Sequence, residues 1–219
     1  GGQFVLYALT SEPSLFNAYI ALSPSLDWDN NLPQRSLEQA FQQTDSLRAF
    51  LYFAWSDDSG QALADDHRLQ ETVEKNSPLG FRWIARGYPD ETHTSIPLVA
   101  HIDALRRLYA GYRFPDDLLE KGLAYAEQHF GEVSGRVGYT IPVPEDVVNN
   151  LGYEELAKGN IPEAIELFKR NTQRNPHSAN ALDGIADAYD KAGMKKEAIA
   201  AMKKAVDLAT RYKDPNLRY

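Results

Sequence analysis

Five residue pairs at a single offset constrain this chain more tightly than any other feature in it. Gly159 and Gly193 stand 34 residues apart, and the same spacing relates Leu151 to Ile185, Ala164 to Ala198, Phe168 to Met202 and Asn171 to Ala205. Self-similarity at a fixed period of this length marks a supersecondary unit stacked along the chain. Each copy reads as a pair of antiparallel helices. Leu182, Ala186 and Tyr189 recur at helical spacing before Gly193, Ala198 and Ala205 follow it, and Pro176 closes the first copy. Two copies fall short of the roughly three that a stack needs to stand alone, so outside support is expected, with a helix over residues 117–130 as the candidate.

Ahead of residue 114 the pattern changes to short apolar runs alternating with longer amphipathic ones, the rhythm of a parallel sheet covered by helices. Residues 18–22 predict one strand. Residues 49–55, apolar throughout, predict a central strand buried on both faces, and residues 81–86, where charge alternates, a strand nearer the edge. Between the last two, 61–75 predicts a helix with Leu63, Leu69 and Val73 on one face. Pro97 opens another, with Leu98, Ile102, Leu105 and Tyr109 as its apolar stripe. Gly131, Gly135, Gly138, Pro142 and Pro144 predict a connector. The expected organisation is an α/β part over 1–113, a helix and linker over 114–144 and an all-α part of two repeats over 145–219.

The residues able to do chemistry follow the predicted strands. Ser56-Asp57-Asp58-Ser59-Gly60 comes after the second, and a loop from Gly87 to Ser95 holding His93 comes after the third. In an open parallel sheet, catalytic groups gather where loops leave the C-terminal ends of strands. An acid after one strand and a His after the next is the order of the second and third members of an α/β-hydrolase triad. There the carboxylate orients the imidazole and stabilises its cation, while the other ring nitrogen takes the nucleophile's proton. Asp57 and Asp58 are both candidates for the acid. The plainer readings are a helix-capping loop histidine at 93 and a solvated turn at 57–58. Ser23 and Ser25 lack a Gly-x-Ser-x-Gly frame and read as turn residues. His67, His101, His129 and His177 have no partners at metal-ligand spacing and read as surface or packing residues, and Trp28, Trp55 and Trp83 as core or pocket wall. With no phosphate loop, dinucleotide fingerprint or metal cluster, neither cofactor nor metal is expected.

Four segments in order carry a resemblance: Gly1-Gly2-Gln3-Phe4-Val5-Leu6-Tyr7-Ala8-Leu9, the run from Phe16 to Leu26, Asp57-Asp58-Ser59-Gly60, and the run from Tyr88 to Pro97. Together they resemble the esterase D and siderophore-esterase-like family of α/β hydrolases, which also includes S-formylglutathione hydrolases. Some members resembling this chain carry C-terminal tetratricopeptide repeats, whose period is 34 residues. The resemblance implies about three strands of a hydrolase sheet followed by two such repeats, and hydrolysis of a small-molecule carboxylic ester. It implies His93 as the catalytic His and Asp58, or failing that Asp57, as the acid. In the family pattern Gly-x-Ser-x-Gly-Gly the opening Gly1-Gly2 matches only the last two positions. The nucleophilic Ser is therefore expected upstream of residue 1, and the chain by itself is expected to be inactive. Asp27 stands where the pattern leads us to expect an aromatic ahead of Trp28, and Asp57-Asp58 where it leads us to expect Asn-Glu.

Composition narrows the partners. A net charge of −8, with Lys and Arg spread along the chain, argues against a nucleic-acid partner. The absence of Cys excludes disulfides, thiolate catalysis and Cys-ligated zinc without choosing a compartment. No apolar run is long enough to predict a membrane span. Two expectations remain for larger partners. The repeats offer a surface for a peptide or protein, which in the rival reading is the whole function, on a degenerate hydrolase scaffold. The resemblance also implies that the strand flanking residues 18–22 lies upstream of residue 1, and the edge so left unpaired is expected to promote self-association.

Overall fold

In a computed structural model, which describes residues 1–212, the chain forms two compact units. One comprises residues 1–110 and 133–140, the other 111–132 and the residues from 141 onward. The first unit holds α1 (Gly2–Ser11), β1 (Ala18–Leu22), α2 (Trp28–Gln42), β2 (Phe50–Trp55), α3 (Gly60–Asn76), β3 (Arg82–Gly87) and α4 (Ile96–Leu108). The second holds a 3₁₀ turn (Asp116–Lys121), α6 (Glu145–Ala157), α7 (Ile161–Arg174), α8 (Ala179–Lys191) and α9 (Lys195–Tyr212), while α5 (Gly122–Val137) contributes to both. Of the range 145–219 expected to hold the repeats, residues 213–219 lie outside the described residues.

The three strands are parallel in the order β1-β2-β3, with Ala18 opposite Phe50 and Phe50 opposite Arg82. All six residues of β2 are buried because both faces of the sheet are covered. Successive side chains of a strand point to opposite faces. Thus Leu51, Phe53 and Trp55 join Leu6, Leu9, Leu37, Phe41, Leu69 and Val73 from α1, α2 and α3, whereas Phe50, Tyr52 and Ala54 join Ile96, Ala100, Ala104 and Leu108 from α4. Completely burying a residue the size of Phe53 contributes roughly 2–3 kcal/mol.

Three expectations are corrected. The stripe that α4 turns to the sheet is Ile96, Ala100, Ala104 and Leu108; the larger Leu98, Ile102 and Leu105 are 73%, 52% and 46% exposed. Small residues win the inner face because Tyr52 and Phe50 already fill the space above the strand, and the helix must approach closely to bury them. The helix expected over 117–130 begins later, at Gly122, and continues through Gly131 and Gly135 to Val137. A Cβ at either glycine would meet nothing, so these residues leave the helix thin without breaking it. Trp28, expected in a core or pocket wall, is 57% exposed at the start of α2, where Asp29, Asn30 and Asn31 take left-handed backbone angles that Asp and Asn tolerate best among side-chain-bearing residues.

In the second unit, α6 and α7 form one helical hairpin and α8 and α9 another, and the turn within each is closed by hydrogen bonds that repeat at the 34-residue offset. Gly159 N–H donates to the Leu156 carbonyl and Asn160 N–H to the Glu155 carbonyl; Gly193 and Met194 do the same to Asp190 and Tyr189. This pair of bonds is the Schellman ending of a helix, and it requires the left-handed φ of 80° at Gly159 and 75° at Gly193. Phe168 of α7, fully buried, locks the two hairpins together. A Cβ placed on Gly152 of α6 or Gly184 of α8 would lie 2.6 or 2.4 Å from its ring, so the ring occupies the space that both missing side chains leave. Ser178 caps α8 by accepting from Ala181 N–H at 3.1 Å.

Candidate active site

A cavity of about 260 Å³ opens at the C-terminal ends of all three strands. Ser23 to Asp27, which follow β1, form one wall; Asp58, Gln61, Ala62, Asp65 and Asp66, from the end of β2 into α3, form another; His93 comes from the loop after β3. Local hydrogen bonds hold these loops against one another beyond the strands. Ser23 N–H donates to the Ala54 carbonyl at 2.7 Å, Tyr88 N–H to Trp55 at 2.8 Å and Asp57 N–H to Glu91 at 2.8 Å.

The structure separates the two candidate acids. Asp58 is half-buried in the cavity wall, and its Oδ2 accepts from Ser56 N–H at 3.3 Å and from Ser56 Oγ at 3.4 Å. Ser56 is itself buried and accepts from Ser23 Oγ at 3.2 Å. Asp57 is exposed and lies outside that wall. His93 is exposed at the cavity mouth, and among the described residues no hydrogen bond joins it to either acid. The turn around it is closed without its help. Thr92 N–H donates to Ser95 Oγ at 2.9 Å, Ser95 N–H to Thr92 Oγ1 at 3.3 Å and Ile96 N–H to the Thr92 carbonyl at 3.0 Å. His93 lines the cavity, and no side-chain hydrogen bond caps α4 among the described residues.

Two carboxylates that sequence reasoning missed complete the site. Asp65 and Asp66 of α3 are only 2% and 4% exposed. Asp65 accepts from Gln61 at 2.9 Å and pairs with Arg68 at 3.0 Å. The Asp66 carboxyl is pushed up to about 7 by burial, and further by the charges of Asp58 and Asp65. The signal for Asp66 was present: it stands three and seven residues before Leu69 and Val73, on the buried stripe of α3. With Asp27, four carboxyl-bearing residues therefore line the cavity that His93 also lines.

The remaining histidines take the plainer roles. His67 packs edge-on against Trp55, the exposed His101 bonds to the Pro97 carbonyl at 2.8 Å, His129 bonds to the Gly111 carbonyl and packs on Phe114, and the exposed His177 meets Tyr212. Ser23 and Ser25 line the cavity from a turn in which Ser23 has a φ of 38°.

Gly2 sets the approach of α1 to the site. A Cβ there would lie 2.6 Å from the Leu22 carbonyl oxygen and 3.1 Å from the Pro24 Cα, so only glycine lets the start of α1 rest on the end of β1, at the residues that wall the cavity.

Comparison with solved structures places the fold. An IroE-like serine hydrolase from Shewanella oneidensis superposes with a TM-score of 0.63 at 21% identity, over 80% of this chain and 56% of that one. A protein of uncharacterised function from Capnocytophaga ochracea superposes with a TM-score of 0.58 at 15% identity, over 100% of this chain and 61% of that one. MamA reaches only 0.34 at 17% identity, too low to carry an argument. The chain thus spans less than two thirds of the length of the first two structures. No protein-family model matches the chain, and no curated protein matches it. At these identities the likeness is one of fold alone.

Proposed function

We propose that this chain carries the acid and the histidine of a serine carboxylic-ester hydrolase and works with a serine hydroxyl presented just ahead of Gly1-Gly2. The observation that carries the reading is the cavity itself. Among its lining are a carboxylate and an imidazole that leave successive strand ends, Asp58 and His93, in the order of acid then His that matches an α/β-hydrolase triad. The tight seat of Gly2 on Leu22 and Pro24 supports it further, because a serine preceding Gly1 would stand beside that same wall.

In this reading the hydroxyl attacks the ester carbonyl while His93 takes its proton, forming a tetrahedral oxyanion. His93 then gives the proton to the departing alcohol, leaving an acyl-enzyme, and a water activated by the same imidazole releases the acid. Asp58 orients the ring and stabilises the imidazolium. Residues 1–113 form the hydrolase part, 114–144 the helix and linker, and 145–219 two tetratricopeptide repeats, an assignment supported by the Schellman endings at Gly159 and Gly193.

The test compares hydrolysis of a short-chain p-nitrophenyl ester by three proteins. They are this chain, the chain preceded in frame by a strand-forming segment ending in Gly-x-Ser-x, and that longer protein with His93→Ala. We expect no turnover above background from the first, turnover from the second, and loss of most of it in the third. Equal activity of the last two would remove His93 from the mechanism.

A further inference from the structure

The 34-residue repeat makes α7 and α9 equivalent, yet their outer faces differ in one respect. On α7, Ile165 and Thr172 are half-buried and Phe168 is fully buried, because α8 packs over them. The equivalent residues of α9 are Ile199, Met202 and Val206, which are 56%, 38% and 51% exposed. They line an apolar groove of about 290 Å³ together with Lys203. Residues that face the interior of each hairpin do not differ in this way: Ala164 and Ala198 are both buried, as are Asn171 and Ala205. The face of α9 is therefore a seat of the kind that α8 fills on α7.

The α7 face also shows what fits such a seat. Phe168 projects into the gap left by Gly184 on α8, so the incoming helix presents a small residue at the centre of the contact. Charge narrows the choice further. Lys195, Lys196 and Lys203 lie on the exposed side of α9, at helical spacing around the apolar stripe, and none has an ion-pair partner among the described residues. The α8 helix that fills the equivalent seat carries Asp183, Asp187 and Asp190 against a single Lys191.

We propose that the outer face of α9 docks an acidic amphipathic helix of a partner protein, with a small residue of that helix over Met202 and its carboxylates beside Lys195, Lys196 and Lys203. This is helix-in-groove recognition, in which apolar anchors supply affinity and the charged rim supplies orientation and rate. It concerns the helical repeats alone and stands or falls separately from the hydrolytic reading.

The probe is a labelled peptide of this chain's own residues 178–192, blocked at both ends, titrated into the full chain by fluorescence anisotropy. We expect saturable binding that weakens with salt, and at least about tenfold weaker binding to Met202→Glu or Val206→Glu. Lys195→Glu/Lys203→Glu should weaken binding and flatten the salt dependence. Because Met202 and Val206 are surface residues, unchanged circular dichroism and melting will show that both variants fold. Absence of binding, or binding that Met202→Glu and Val206→Glu leave intact, would overturn the proposal. So would self-association of the chain that Met202→Glu abolishes, since that would give the face to a second copy.

Discussion

Asp66 sits almost wholly buried in α3, and burial, reinforced by the charges of Asp58 and Asp65, pushes its carboxyl up from the ordinary 3.8 to about 7. The folded state therefore holds this proton more tightly than the unfolded chain. Its contribution is complete below the unfolded value and is lost as pH rises through about 7, at a rate approaching 1.4 kcal/mol per pH unit. Urea unfolding between pH 4 and pH 8 should show this loss. Asp66→Asn, neutral at every pH, should flatten the profile and be more stable than the parent at the alkaline end; parallel profiles would show that Asp66 is not the titrating group. The choice of acid in the proposed triad is tested at the same scale. In the longer, serine-bearing protein, Asp58→Asn should lower kcat by about 10³- to 10⁴-fold, and Asp57→Asn should leave it within a fewfold. The reverse result would move the acid to Asp57.

Elements in this molecule are held by the fit of large side chains against missing ones. Phe168 fills space shared by Gly152 and Gly184, so Phe168→Ala should cost about 3–5 kcal/mol. Gly184→Ala, which forces a methyl into the ring, should cost about 1–3 kcal/mol. Denaturant midpoints of the two variants check both figures, and a Gly184→Ala protein as stable as the parent would mean that the hairpins are free to part. On the sheet, Tyr52 is held by polar contacts as well as by packing. Its hydroxyl donates to Asp103 of α4 at 2.8 Å and lies 2.6 Å from the Tyr88 hydroxyl. Burial raises the Asp103 carboxyl, but hydrogen bonds from Tyr52, Arg107 and Tyr88 outweigh it and leave the group below its ordinary value. The apolar spacing Leu98, Ile102, Leu105 and Tyr109 misdirected the sequence reading of α4 because two stripes run along that helix. Periodicity favours the bulkier one, whereas close packing on a strand of aromatic residues favours the alanines.

At the scale of the whole molecule, β1 is hydrogen-bonded to β2 on one side and has no strand on the other among the described residues. Unpaired edges recruit strands from other chains. Sedimentation velocity should therefore show the average mass rising with concentration, and the effect should survive Met202→Glu, which acts on the other unit. A single monomeric species across the concentration range would count against it. The chain also divides differently from a simple cut along its length. Residues 111–132, which carry the 3₁₀ turn and most of α5, belong with the helical hairpins, where Arg170 of α7 pairs with Glu127. The next residues, 133–140, return to the first unit, where Arg82 of β3 donates to the Arg136 carbonyl and Asn17 to the Gly138 carbonyl.

Strand composition, the 34-residue repeat and the order of motifs were legible in the amino-acid sequence alone. Apolar residues throughout β2 required a strand covered on both faces, and paired glycines 34 residues apart required two equal helix endings. An acid and a His after successive strands had to emerge at one end of a parallel sheet. Tertiary structure decided what depends on neighbours distant in sequence. It turned Asp58 rather than Asp57 into the cavity wall, where Ser56 donates to one carboxylate while the other is exposed to solvent. It buried Asp66 beside Asp58, and it left Met202 bare where Phe168 is covered. In each case the outcome was set by which surface another part of the chain came to occupy, and no periodicity within a single segment encodes that.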